Sequence, residues 1–295
     1  MGYAPSRSSG WERLCGRTTI LSMRYLIIRI STAALAVIVV CTSMVAAQAE
    51  VFPVASSVRT MYAKREIVHT LEALKSGARL GEQRSRLVTK GDRLHFEVVT
   101  EFEDGVVSDE RGVMDISSGY RALSYRKIGR RNGVIEDELR VDFLSGHTEW
   151  MVHGERHEQT FSFAPDTYAG PMLAVVLAAV PEMPEGGTSF QMITFRPDPR
   201  VYTIQVDVMD RGTFDLVTTP APATKLRLKV DLGSVGNALF KRIIPTHYFW
   251  YTQDSSPDFF AFEGQLGHDG PELLMFPRGL QRRDLPGDGT VVAQQ

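Results

Sequence analysis

Cysteine is almost missing from this chain: its 295 residues include two, Cys15 and Cys41, and none follows residue 41. A disulfide scaffold, a cysteine nucleophile and a structural cysteine–zinc site are therefore excluded from everything downstream. An excess of positive charge is missing as well. Lys and Arg total 33 against 35 Asp and Glu, a formal charge of −2, which leaves no electrostatic footprint for nucleic acid. Compact catalytic signatures are also lacking: there is no Gly-x-Ser-x-Gly, no His-Glu-x-x-His and no phosphate-cradling glycine loop. No cofactor is implied, and the reading is non-catalytic.

What is present begins with an address. Arg24 and Arg29 supply a positive flank, an apolar stretch runs from Ile30 to Val40, and Ala47-Gln48-Ala49 offers the small-x-small pattern read by a signal peptidase. Residues 1–49 therefore read as a signal peptide, with Met23 as the expected true start and cleavage expected after Ala49. The expected location is periplasmic or secreted. The competing reading is a retained anchor, but Ser31, Thr32, Thr42 and Ser43 dilute the span. Cleavage would remove five arginines and Glu12, leaving 28 basic and 34 acidic residues, a net charge of −6. The mature chain contains no expected membrane span.

Residues 50–276 read as one β-rich domain. Leu94, Phe96, Val98 and Phe102 alternate with His95, Glu97, Glu101 and Glu103; Leu139, Val141 and Phe143 alternate with Glu138, Arg140 and Asp142. Tyr202 to Val208 repeats the pattern, and Leu226, Leu228, Val230 and Leu232 against Lys225, Arg227, Lys229 and Asp231 is its cleanest case. Such alternation predicts antiparallel strands with one wet face. Gly91-Asp92, Asp104-Gly105, Asn132-Gly133, Ser145-Gly146, His153-Gly154 and Arg211-Gly212 supply turns between them. The expected fold is mainly β: a single curved antiparallel sheet, an open or half barrel with meander order, wrapped around one apolar helix. Residues 64–76 fit either period, and Gly77 and Gly81 favour a strand and hairpin. Residues 277–295, poor in apolar side chains, read as a flexible tail.

The expected helix is Tyr168 to Val180, apolar around its whole circumference, opened by Pro171 and ended by Pro181 and Pro184. An all-apolar helix needs cover on several sides, and a curved sheet supplies it. Tyr168, Met172, Leu173, Val176 and Leu177, with Tyr248, Trp250, Phe260 and Phe262 from two aromatic-dense strands, form the candidate lining of a hydrophobic cavity. A filled core uses the same residue types. Two further sets have the residue types of a site. His153, Glu155 and His157, with His147 nearby, alternate as metal ligands would, yet His153-Gly154 reads as a turn and no fourth ligand is evident, so no metal site is assigned. Glu97, Glu101 and Glu103, and Glu136, Glu138 and Asp142, read as solvated acidic faces.

The hairpins punctuated by Gly77 and Gly81, the Asn132-Gly133 turn, the Tyr168-Ala169-Gly170-Pro171 segment, and Tyr248-Phe249-Trp250, Pro257 and Phe262-Glu263-Gly264 together resemble exported β-rich domains of unknown function in Gram-negative bacteria. The architecture is similar to the lipoprotein-carrier half-barrels of the LolA, LolB and RseB types. That resemblance implies a periplasmic curved sheet whose concave face holds a helix; in the carriers this face receives acyl chains. Two functions follow as expectations. One is binding or carriage of a lipid or hydrophobic small molecule in the cell envelope. The other is a structural or envelope-assembly role, with a solid core and a wet sheet face that docks a protein partner.

Overall fold

The structure, a computed structural model, describes residues 65–182, 187–195, 198–231, 246–253, 258–266 and 270–283. The chain divides into compact units at 1–48 and 49–295, and the first lies wholly outside the described residues. So do the expected signal peptide, its Met23 start, the cleavage point after Ala49, and residues 284–295 of the expected tail.

Among the described residues, fifteen strands form one sheet. In chain order they are β1 (Arg65–Ala73), β2 (Arg79–Lys90), β3 (Arg93–Phe102), β4 (Val106–Asp115), β5 (Arg121–Arg131), β6 (Val134–Asp142), β7 (His147–Val152), β8 (Glu155–Thr160), β9 (Thr167–Ala169), β10 (Thr188–Phe195), β11 (Pro199–Phe214), β12 (Ala221–Asp231), β13 (His247–Thr252), β14 (Phe259–Gln265) and β15 (Glu272–Pro277). Across the sheet, β8 to β1 run in reverse order and then join β15, which continues down to β9. Two meanders are therefore sewn together by the antiparallel β1–β15 pair, in which Leu71 faces Met275. Every pairing is antiparallel except β9 with β10. The disputed first segment is a strand, as Gly77 and Gly81 suggested.

Most of the expected turns form, but Arg211-Gly212 lies inside β11, where Arg211 pairs with Thr224 and Gly212 with Ala223, because the ladder with β12 continues through it. Asn132-Gly133 has φ of 51° and 82°, and His153-Gly154 has 52° and 83°, the positive pair of a two-residue hairpin loop. Bulges at Val113/Met114, Gly129/Arg130, Val208/Asp210 and Trp250/Tyr251 break the ladder, a device that bends and twists strands.

The helix is shorter than its sequence predicts. Tyr168 and Ala169 belong to β9, pairing with Met192 and Ile193, and only Met172–Val176 is α-helical (α1) before a 3-10 turn over Leu177–Glu182. Pro171 opens it as expected. The cause of the shortening is tertiary: the parallel pairing with β10 draws the first residues into the sheet. Among the described residues, no helix is long and apolar enough to cross a membrane.

One core joins both meanders. Leu94, Phe96, Met114 and Leu139 from the first, Phe190, Ile204, Leu226 and Leu228 from the second, and Met172, Val176 and Leu177 from the helical segment pack in a single cluster. The sheet is thus curved and open, wrapped around one short apolar helix.

Candidate functional site

The nine residues proposed as a cavity lining do not share one surface. Tyr168, Met172, Leu173, Val176 and Leu177 lie in the main core, four of them at 0% exposure and Leu173 at 7%. Phe262 sits in an adjacent cluster with Leu71, Leu273 and Met275. Tyr248, Trp250 and Phe260 pack instead with Phe214, Val217 and Phe276, in a third cluster. The register explains the split. Trp250 pairs with Ala261 and Tyr251 with Phe259, so Phe260 is the extra residue of a bulge and joins Ala261 in the cluster of Trp250. The aromatic that meets the helix is Tyr251, whose hydroxyl donates to the Ala174 carbonyl at 2.8 Å.

A second fixing point holds the segment before the helix. The Tyr168 hydroxyl donates to the Tyr120 carbonyl at 2.7 Å, tying β9 to the chain entering β5. Burial, with help from the Asp166 charge, raises the pKa of this phenol, so it stays a donor. Beside it, the Tyr125 hydroxyl donates to Glu110 Oε2 at 2.5 Å, and Ser108 donates to Glu110 Oε1 at 3.2 Å. Burial, then the Glu110 charge and its hydrogen bond, push the Tyr125 pKa well up. Gly170, at φ of 45°, closes over this pair; a Cβ there would lie 2.5 Å from Glu110 Oε2 and 2.6 Å from Tyr125 Oη. These polar groups fasten the helical segment to the sheet. Tyr168 is a candidate lining residue in the sequence, but Ser108, Glu110 and Tyr125 carry no such signal, because only the folded register brings them to Gly170.

Two hollows, of about 660 and 390 Å3, lie along β2–β8. The larger runs across the strands on the face away from the core. Its floor is the paired row Phe96, Gly112, Tyr125 and Val141. Gly112 is required there, since a Cβ would meet the Phe96 ring at 2.4 Å and the Ser124 carbonyl at 2.8 Å. One wall is the cross-strand row Val88, His95, Val113, Ser124 and Asp142. The other is Arg86, Glu97, Arg111, Arg126, Arg140 and Glu149, each paired directly with the next.

Acidic side chains brace the arginines of that wall. Arg111 donates through Nε to Asp109 at 3.0 Å and reaches Glu97 at 2.8 Å. Arg126 and Arg140 both donate through Nε to Glu138 Oε1, at 3.0 and 2.9 Å. Burial pushes the Glu138 carboxyl up, but the hydrogen bonds from Arg140 and Arg126 outweigh it and hold the pKa below its usual value. On the opposite wall, partial burial lowers the His95 pKa, and the charges of Lys90 and Arg93 lower it further.

Of the acids read as solvated, Glu101, Glu103, Glu136 and Asp142 are exposed, with Asp142 accepting from the Leu144 and Ser145 amides of the following turn, whereas Glu138 is mostly covered and held by Arg126 and Arg140. The histidines disperse. His153 is in the turn, and His157 stacks on Trp150 at 5.4 Å. The group that converges is His147, Glu149 and Glu158, all exposed, with ligand atoms within 4.8 Å of one another.

No protein-family model matches the chain, and no curated protein matches it. Among solved structures, it is similar to the crystal structure of a beta-barrel-like protein of the domain of unknown function DUF1849 from Brucella abortus. That similarity covers 80% of this chain and 100% of the other, with a TM-score of 0.45 and 12% identity.

Proposed function

We propose that this protein is a non-catalytic, exported protein of the cell envelope that docks a protein partner on the outer face of β2–β7, while its apolar core serves the fold. One observation carries the reading: the helical segment is fastened in place while a hollow of ligand-binding size opens on the opposite face. A lid over an acyl-chain site must leave its seat. Here Tyr168 and Tyr251 each anchor the segment's backbone or its approach, and Met172, Val176 and Leu177 have no exposed surface. The buried polar pair next to the helical segment is closed to substrate, since Glu110 and Tyr125 satisfy each other beneath Gly170.

The test has two arms. Native mass spectrometry of gently purified protein, with thermal shifts against fatty acids and lysolipids, is expected to show no stoichiometric lipid and no stabilisation. Photo-crosslinking in cells from Val113 or Ser124, in the hollow, is expected to give a discrete adduct, and crosslinking from Met209, exposed on the other meander, none. A co-purifying lipid that raises the melting temperature would overturn the docking reading in favour of a hydrophobic carrier.

A further inference from the structure

We propose that the hollow on β2–β7 recognises an extended acidic segment of the partner protein, through an arginine ladder formed by Arg111, Arg126 and Arg140. This deepens the docking reading above and rests on it.

The register is the first argument. Arg111 lies directly opposite Arg126, and Arg126 directly opposite Arg140, on strands roughly 4.8 Å apart. Like charges placed directly opposite each other oppose sheet formation. Three guanidinium groups in consecutive strands therefore work against the fold, and the chain answers with acids rather than by dispersing them. Asp109 and Glu138 are low in the surface, with 17% and 14% of their side chains exposed, whereas Arg111, Arg126 and Arg140 keep 58%, 46% and 53%. The acids hold the arginines from beneath, and the guanidinium ends stay at the surface. Side chains held in this way lose less freedom when a ligand arrives.

Charge is the second argument. The hollow is lined by five basic residues, Arg86, Lys90, Arg111, Arg126 and Arg140, against the acids Glu97, Asp142 and Glu149, in a chain whose formal charge is −2. Neither Arg86 nor Lys90 has an ion-pair partner among the described residues. Lys90 lies opposite another cation, Arg93. The planar guanidinium fork matches a carboxylate in two-point contact.

Shape selects the form of the acid. The hollow crosses β2 to β7, and Val88 and Val113 lie on the wall opposite the ladder. An extended segment presents acidic side chains to the arginines and apolar ones to the valines, because its side chains alternate. A uniformly anionic lipid surface is flat, and it would also meet Glu97, Asp142 and Glu149 in the same hollow.

Fluorescence anisotropy on the full chain, with a labelled decapeptide of alternating Glu and Val, tests this. The Glu peptide is expected to bind at low salt and weaken as salt rises. Its Gln–Val counterpart and the R126Q/R140Q variant should each bind about tenfold more weakly or worse. R126K/R140K, which keeps charge but loses the fork, should fall between, and R200Q on the other meander should match the parent. Circular dichroism confirms that each variant is folded. Should R126Q/R140Q fail to fold, the R126K/R140K comparison decides. Equal binding of the Glu and Gln peptides, or an unweakened arginine variant, would overturn the proposal. So would binding of phosphatidylglycerol vesicles, lost in R126Q/R140Q, without peptide binding. If crosslinking from Val113 still yields its adduct while the Glu peptide fails to bind, the acidic partner is wrong and the docking face stands.

Discussion

Acid should unfold this protein through His69. The side chain lies in β1 with no exposed surface, its ring centroid 5.1 Å from that of Phe259. Burial drives its pKa from 6.5 down to about 4; the Phe260 backbone pulls the value up and the nearby Arg65 charge pulls it down again. The folded pKa is below the unfolded one, so the unfolded chain binds the proton more readily. The contribution to stability is complete above pH 6.5 and is lost as pH falls from 6.5 to about 4. A shift of that size corresponds to about 3 kcal/mol, a large share of the total stability of an ordinary domain. Urea unfolding of the parent and of His69→Leu across this range checks it. The stability difference between the two should move by about 3 kcal/mol in favour of the variant as pH drops. If the two profiles run parallel from pH 6.5 to 4, the histidine is not the acid-sensitive group and the reasoning fails.

Three shorter predictions test the fastening of the core. Gly170→Ala forces a side chain onto Glu110 and Tyr125 at a backbone φ of 45°, and should cost about 1–3 kcal/mol in thermal or urea unfolding. Tyr251→Phe removes the donor to the Ala174 carbonyl, and should cost about 1–2 kcal/mol while speeding amide exchange over residues 172–182. Arg282→Ala removes bonds to the Ala73 and Leu74 carbonyls, at 2.9 and 2.6 Å, and should lower the melting temperature; an unchanged value would show that the C-terminal stretch does not hold the β1 end.

Those last contacts mark where a reading of the chain by composition runs out. Pro277 to Gln295 has the make-up of a tail, yet residues up to 283 are fixed: Val217 bridges Arg282, and Arg282 reaches the end of β1. The signal for that attachment is one guanidinium against two carbonyls far away in sequence. What was legible was local. Leu94, Phe96 and Val98 are buried on one face as their alternation required, and Asn132-Gly133 adopts the dihedrals its residues favour. What was not legible depends on register. A single bulge moves Phe260 away from Phe262, and the β9–β10 pairing takes Tyr168 and Ala169 out of the helix. The arginine ladder is invisible for the same reason, since Arg111, Arg126 and Arg140 become neighbours only after two hairpins have set their pairing.

The two meanders treat their outer faces differently, and this bears on where a partner sits. Behind β12–β15 the aromatic row of Trp250, Phe260 and Phe276 is covered by the chain itself, with Phe214, Leu216, Val217 and Leu280 packed on it. Lys225 completes the cover, its ammonium 4.1 Å from the Tyr248 ring centre and 4.8 Å from that of Trp250. Behind β2–β7 the corresponding face carries half-exposed arginines, a hollow and small side chains such as Ser124. Because side chains alternate along a strand, the outer face can change without disturbing the core that Leu94, Met114 and Leu139 build on the inner one. The covered face contributes to stability by burying apolar surface, as a chain without cysteine beyond residue 41 requires. The arginine face has no such role: its like charges stand opposed, and Glu97, Asp109 and Glu138 are needed to offset them. A surface that works against the fold and is held in place at that cost is where recognition should be sought.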